Sequence, residues 1–269
     1  MRLDPVAPGA AVSLSDEAAR PAHAHDTDKS VLRDRLGALT ERIDRLQEAL
    51  FAEGKRALLV VLQGRDTSGK DGTIRNVFGP LDPQGAVVAA FKAPTELELR
   101  HDFLWRVHQA VPPRGLIGIF NRSHYEDVLV VRVRRLVPER VWRTRYDQIN
   151  RFEQNLTEAG TTILKFYLHI SPGEQRERLL ARLDEPDKFW KFNPGDLEDR
   201  KRWDDYTAAA EEMLARTSTE TAPWYVVPAD RKPLRDLLVA ETVVAALERM
   251  DPKYPAPVGD LDAWRRELA

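Results

Sequence analysis

Hydrophobic and polar positions follow two rhythms along this 269-residue chain. Val31, Leu32, Leu36, Leu39, Ile43, Leu46 and Leu50 recur at helical spacing, with charged residues between them. The pattern predicts a helix over 31–51 that packs on the domain or on a second subunit. Residues 57–62, ALLVVL, change the rhythm to an unbroken apolar run, as expected of a strand covered on both faces. Further strands are predicted at 86–91, 116–120, 161–170 and 224–227. Between them lie predicted helices at 73–78, 125–136, 138–159, 172–183 and 233–250. Another helix opens on a Thr95–Glu98 capping box, runs through His101, Trp105 and His108, and ends before Pro112-Pro113. Strands alternating with helices predict an α/β fold, a parallel sheet sandwiched by helices.

The chemistry gathers at the predicted carboxyl ends of the strands, where ligands of open parallel sheets bind. After the first strand comes Gly64-Arg65-Asp66-Thr67-Ser68-Gly69-Lys70-Asp71-Gly72. Its glycine, four residues, then glycine-lysine is the spacing of a phosphate-binding P-loop. The loop from Gly64 through Arg65, Thr67, Ser68, Gly69 and Gly72 is predicted to cradle phosphate with backbone N–H groups. Lys70 adds a point charge. Two residues depart from the usual pattern. Asp71 stands where a Ser or Thr normally holds magnesium, and Asp66 adds a second carboxylate inside an anion-binding loop. An extra anion is useful there only with a cation between it and the phosphate, so the loop points to phosphoryl transfer with an unusual metal arrangement.

Lys92 follows the second strand, where it is placed to face a phosphate. Asn121-Arg122-Ser123-His124-Tyr125-Glu126-Asp127 follows the third. Arg122 is placed to meet a phosphate bidentately, and Asp127 is the expected partner of Asp66 on a metal. After the fourth strand, Arg178 and Arg182 share a helix face by i, i+4 spacing. A Pro- and Gly-punctuated stretch with Lys188 and Lys191 follows, at about 184–200. It is read as a lid that places cations on a transferring phosphoryl group. Arg75, Lys92, Arg132, Arg134 and Arg135 are candidates for a basic groove.

Lys and Arg number 41 against 43 Asp and Glu, a formal net charge of -2. The balance argues against nucleic acid as a partner. Absence of cysteine excludes disulfides and thiolate chemistry and fits a reducing cytoplasm. No apolar run approaches membrane-span length. The Ala-, Pro- and Asp-rich residues 1–29, including His23 and His25, are expected to form a loosely ordered tail. Residues 30–255 would be the phosphotransferase domain, and 256–269 a C-terminal extension.

Taken together, residues 64–72, Phe120 to Val128, Lys188-Phe-Trp-Lys-Phe192, Arg202-Trp-Asp-Asp-Tyr206, Thr217-Ser-Thr219 and Ala222-Pro-Trp224 resemble the second polyphosphate kinase family. The resemblance spans roughly residues 30–255. It implies a P-loop kinase-like fold with a helical lid. It also implies transfer between inorganic polyphosphate and AMP, ADP or ATP, dependent on magnesium or, as a substitute, manganese. Asp66, Lys70, Arg122 and Arg178 are the catalytic residues it implies. Asn121 and Glu126 resemble the subgroup that accepts both nucleoside mono- and diphosphates. A homo-oligomer, dimer or tetramer, is implied as well. The motifs leave two other readings: a conventional nucleoside monophosphate kinase, which should keep Ser or Thr at position 71, and a non-catalytic nucleotide-binding module, which would need neither Asp66 nor the lid arginines.

Overall fold

The computed structural model describes residues 2–21 and 27–269. Five strands, β1 (Ala57–Gly64), β2 (Ala86–Ala90), β3 (Ile117–Asn121), β4 (Thr161–His169) and β5 (Trp224–Pro228), form one parallel sheet in the order β2-β3-β1-β4-β5. The apolar run of β1 is buried on both faces. Leu58, Val60 and Leu62 enter one core with helices α1 (Lys29–Glu53) and α5 (Lys232–Met250). Leu59 and Val61 enter the other with α2 (Glu139–Glu158) and α4 (Trp203–Thr217). The chain leaves β1 towards β2 over the first face and leaves β3 towards β4 over the second. The crevice between the carboxyl ends of β1 and β3 is therefore the topological switch point, where ligands of such sheets bind.

Several predicted helices are interrupted. The Thr95–Glu98 capping box forms, yet its helix covers only Glu96–Leu99, and a second turn starts at Trp105–His108. Asp102 accepts from the Leu104 N–H at 2.9 Å, and such a local side-chain bond competes with helix continuation. The helix predicted over 125–136 is a 3-10 turn at His124–Asp127 followed by Val130–Val133. The helix after the P-loop passes from Lys70–Thr73 into a π-helical turn, Ile74–Phe78, a feature common at functional sites.

The N-terminal segment departs from the expected loose tail. Leu14 and Ala19 are buried, the Val6 N–H donates to the Trp224 carbonyl at 2.8 Å, and the Ser218 hydroxyl donates to the Val6 carbonyl. Residues 2–21 thus pack beside β5. Composition did not reveal this because the anchoring apolar residues, Val6, Val12, Leu14 and Ala19, are few and follow no regular spacing, and the rest of the hold is backbone hydrogen bonding. His23 and His25 lie outside the described residues. Among the described residues no helix is long and apolar enough to cross a membrane. The C-terminal segment ends in an exposed helix, Leu261–Leu268.

Candidate active site

The P-loop is held by close approaches that glycine alone permits. A Cβ on Gly64 (φ +148°) would lie 2.6 Å from the Leu168 carbonyl oxygen. One on Gly69 (φ +102°) would lie 1.7 Å from Nη1 of Arg235. Thr67 is left-handed, with φ 62°, a cost that functional loops commonly carry. Lys70 curls back and donates to the Gly64 and Arg65 carbonyls at 2.9 and 3.0 Å. Burial, reinforced by Arg122, pushes its ammonium down to about 8. The Thr67 and Ser68 hydroxyls are buried without a hydrogen-bond partner, which marks unmet polar capacity inside the loop.

Arg122 is also left-handed, at φ 61°. Its N–H donates to the Leu62 carbonyl at 3.0 Å, the last rung between β3 and β1. Its guanidinium then lies 3.4 Å from Glu126 and 3.9 Å from Asp66. Asn121 Nδ2 donates to Asp71 Oδ1 at 2.6 Å, so the residue replacing the usual Ser or Thr is tied across the crevice. Behind this segment Tyr125 and His124 bond Glu153, which pairs with Lys165 at 2.6 Å, all fully buried.

Helix α3 (Pro172–Asp184) carries Arg178 and Arg182 to the loop. Arg182 Nη1 lies 2.6 Å from Asp66 and 3.2 Å from Asp196, a residue of the short lid helix Gly195–Arg200. Burial alone would raise the Asp66 carboxyl, but Lys70, Arg182 and Arg122 outweigh it and hold it below its ordinary value. Its own burial and the neighbouring Asp66 push Asp196 up to about 6. Arg178 donates to Glu174 and to the Thr67, Ala229 and Asp230 carbonyls.

Two cavities meet at Asp66 and Arg122, which line both. The larger, about 1270 Å³ of space open to solvent, faces the P-loop. Nine cationic side chains line it, among them Lys70, Lys92, Arg178, Lys188, Lys191 and Lys232, against only Asp66 and Asp71. The smaller, about 600 Å³, has Leu129, Val130, Tyr167, Trp203 and Tyr206 in its wall with Glu126, Asp196 and Asp199. Arg65 lies 3.7 Å from the Trp203 ring centroid and donates to the Trp203 carbonyl, which fixes one wall.

The structure brings Gly64, Arg65, Asp66, Arg122 and Glu126 to the smaller cavity. Asp66, Arg122, Thr67, Gly69, Lys70, Asp71, Gly72, Lys92, Asn121, Arg178, Arg182, Lys188 and Lys191 line the larger. Ser68 lies beneath the loop, fully buried. Asp127 is the exception: it lines neither cavity, and its carboxylate accepts from Arg145 at 2.7 Å. The 3-10 turn gives neighbouring acids a phase that helical spacing does not predict, so Glu126 enters the cavity in place of Asp127. The expected Asp66–Asp127 metal pair is therefore not brought together. Arg132 and Arg134 are also removed from the basic groove, since Arg132 pairs with Glu212 and Arg134 with Asp199. Arg135 lines a separate cavity with Arg132, beside Trp142.

Sequence reasoning missed Arg235 and Asp236. Arg235 is 1 % exposed, pairs with Asp236 at 2.7 Å and points its Nη1 at the Ser68 carbonyl. Asp236 accepts from Thr73 and Asn76 and so ties the loop helix to α5. An Arg-Asp pair inside the apolar run of 234–240 was the available signal.

The profile of the polyphosphate kinase 2 family matches residues 26–255. An AMP/ADP-polyphosphate phosphotransferase of Meiothermus ruber is 55% identical over 234 residues, 87% of this chain and 88% of the relative. An ADP-polyphosphate phosphotransferase of Rhodopseudomonas palustris is 45% identical over 245 residues, 87% of this chain and 84% of the relative. The crystal structure of polyphosphate kinase 2 from Arthrobacter aurescens TC1 superposes with a TM-score of 0.92 at 41% identity, covering 99% of this chain and 98% of that one. A phosphate loop facing a cation-lined cavity, a second cavity beside it and a match over most of the chain together place this protein in the polyphosphate kinase 2 family.

Proposed function

We propose that this enzyme moves a phosphoryl group from inorganic polyphosphate to AMP and to ADP, with the donor in the cationic cavity and the nucleotide in the smaller one. The observation that carries the reading is the charge asymmetry of two cavities with a shared wall. Nine cations face two acids on one side, while on the other, beside the rings, Arg65, Arg122 and Arg200 face four carboxylates. A polyanion neutralises the first. A nucleoside fits the second by stacking and hydrogen bonding.

The terminal phosphate oxygen of the nucleotide attacks the terminal phosphorus of the chain. A new P–O bond forms, the adjoining P–O–P bond breaks, and the shortened polyphosphate carries the leaving oxygen. Such transfer needs positioning and charge neutralisation more than a covalent nucleophile. Lys70 and Arg122 contribute the charge, with Arg182 once it leaves Asp66. Arg178 acts by holding the Thr67 carbonyl, so its part in catalysis is to position the loop.

Asp66 is placed to hold magnesium, or manganese, where the cavities meet. The residues fit a hard cation: Arg182 already bridges Asp66 and Asp196, as a cation shared by two carboxylates would. Magnesium commonly uses one or two carboxylates plus substrate phosphates. When bound, the ion would neutralise the bridging phosphate oxygens. Self-association into a dimer or tetramer belongs to the same reading, supported by the exposed Leu261, Trp264 and Leu268 of the C-terminal helix. Light scattering measures it directly.

The test supplies magnesium and AMP with either long-chain polyphosphate or ATP as donor and follows nucleotides by chromatography. The reading expects ADP and then ATP from polyphosphate. ADP formed only with ATP as donor would assign a conventional nucleoside monophosphate kinase instead.

A further inference from the structure

Beside the P-loop cavity lies a second basic cavity that the transfer chemistry does not use. It is lined by Lys29 and Arg33 of α1, Arg75 of the π-helical turn, and Lys232 at the start of α5. Asn76 and Lys232 line both cavities, so the two adjoin. The one acid in the wall, Asp236, is taken up by Arg235, Thr73 and Asn76. Among the described residues, Lys29, Arg33, Arg75 and Lys232 have no acidic partner within ion-pair distance. In a chain with slightly more acids than bases, such a row is an electrostatic feature in its own right. The Lys232 ammonium is held below its ordinary value by burial and by nearby Arg178 and Arg235, a crowding that an anion relieves. Gly37 lines the same cavity from mid-helix, where glycine is unfavourable, and nothing lies within 4 Å of the Cβ it lacks.

We propose that this cavity is a second binding segment for inorganic polyphosphate, holding the part of a long chain that extends out of the P-loop cavity away from its reacting end. The inference rests on the donor assigned above. A flexible polyanion that fills the first cavity must leave it somewhere, and the unpaired cations mark this exit. A short oligophosphate ends within the P-loop cavity and does not reach Lys29 or Arg33. The second segment therefore acts on affinity for long chains and leaves the chemical step alone.

The experiment compares the wild type with Lys29→Ala/Arg33→Ala and, separately, with Gly37→Glu, which places an anion in the open space. All three positions are solvent-exposed, and circular dichroism checks the fold. KM and kcat are measured with ADP as acceptor, using a short oligophosphate and a long-chain polyphosphate as donors. The expected result is a rise of about tenfold in KM for the long chain, with a shallower dependence on salt as phosphate contacts are lost. KM for the short donor and both kcat values should stay unchanged. An equal change for both donors, or none for either, overturns the second segment while leaving the donor assignment in place. Failure of the wild type to use any polyphosphate overturns the donor assignment itself and this inference with it.

Discussion

Charge is handled in opposite ways on the two sides of β3. Behind it, Lys165 donates to Glu153, the Tyr125 hydroxyl and the Thr217 carbonyl, and every member of the group is buried. In front, Lys92, Lys232 and Arg75 stand without acidic partners among the described residues, around the P-loop and its exit. Matched buried charges fix the segment that carries Arg122 and Glu126. Unmatched charges at the rim await an anion that the protein itself does not supply. Arg122 and Arg182 pair with acids of the site itself; away from that site, a cation's partners separate structural from functional roles. By that criterion Arg132 and Arg134 belong to the scaffold despite their place in a basic sequence.

The comparison breaks first at the buried side. Lys165→Met leaves Glu153 buried without its cation, and breaking one partner of such a pair costs about 3–5 kcal/mol. Denaturant unfolding should show that loss, and Glu153→Leu/Lys165→Met should recover much of it. A single variant as stable as wild type would mean that the pair is not structural.

On the functional side the order reverses. Asp66→Asn and Lys70→Ala should each lower kcat by about 10²–10³, with circular dichroism checking the fold because Lys70 is buried and bonds the Gly64 and Arg65 carbonyls. Near-normal turnover by either folded variant would remove it from the site.

Asn121→Asp tests whether the acceptor's reacting phosphate reaches the cationic cavity, which Asn121 lines while it does not line the smaller one. Asn121 now donates to Asp71 at 2.6 Å, and the variant would set two carboxylates against each other beside the incoming phosphate. The ratio of kcat/KM for ADP over AMP should rise several-fold. An unchanged ratio in an active variant would take Asn121 out of acceptor choice.

The smallest effect is on acid stability. Burial holds His124 below its ordinary value of 6.5, while Lys165 and His124 hold Glu153 below 4.5 despite its burial. Below about pH 6.5 the unfolded chain takes up a proton at His124 that the folded chain refuses, so stability falls. The Glu153 contribution is present above 4.5 and is lost as pH falls through its depressed folded value. The thermal midpoint should therefore decline between pH 7 and 5, and His124→Asn should flatten the upper part of that decline. An equally steep decline in the variant would exclude His124 as its source.

The sheet was legible because its strands are largely apolar runs bounded by turn residues, as in ALLVVL before Gly64, with β4 interrupted by Lys165. The P-loop and Arg122 were legible because their chemistry is local in sequence. Asp127 was misplaced because one residue's difference in a 3-10 turn redirects a side chain to Arg145. Arg235 was hidden because its partner loop is 167 residues away and its own helix reads as core. The helix Trp203–Thr217, for which the sequence offered no prediction, opens on Asp204 and Asp205 rather than on an apolar stripe.

The central claim, that polyphosphate lies in the cation-lined cavity above the P-loop, is tested most directly by hydrogen exchange with polyphosphate and magnesium but no nucleotide. The account predicts slower exchange at residues 64–72 and across 178–195, with no change around Arg132 and Arg135. Protection around Arg132 and Arg135, with the P-loop and lid unchanged at saturating polyphosphate, would contradict it.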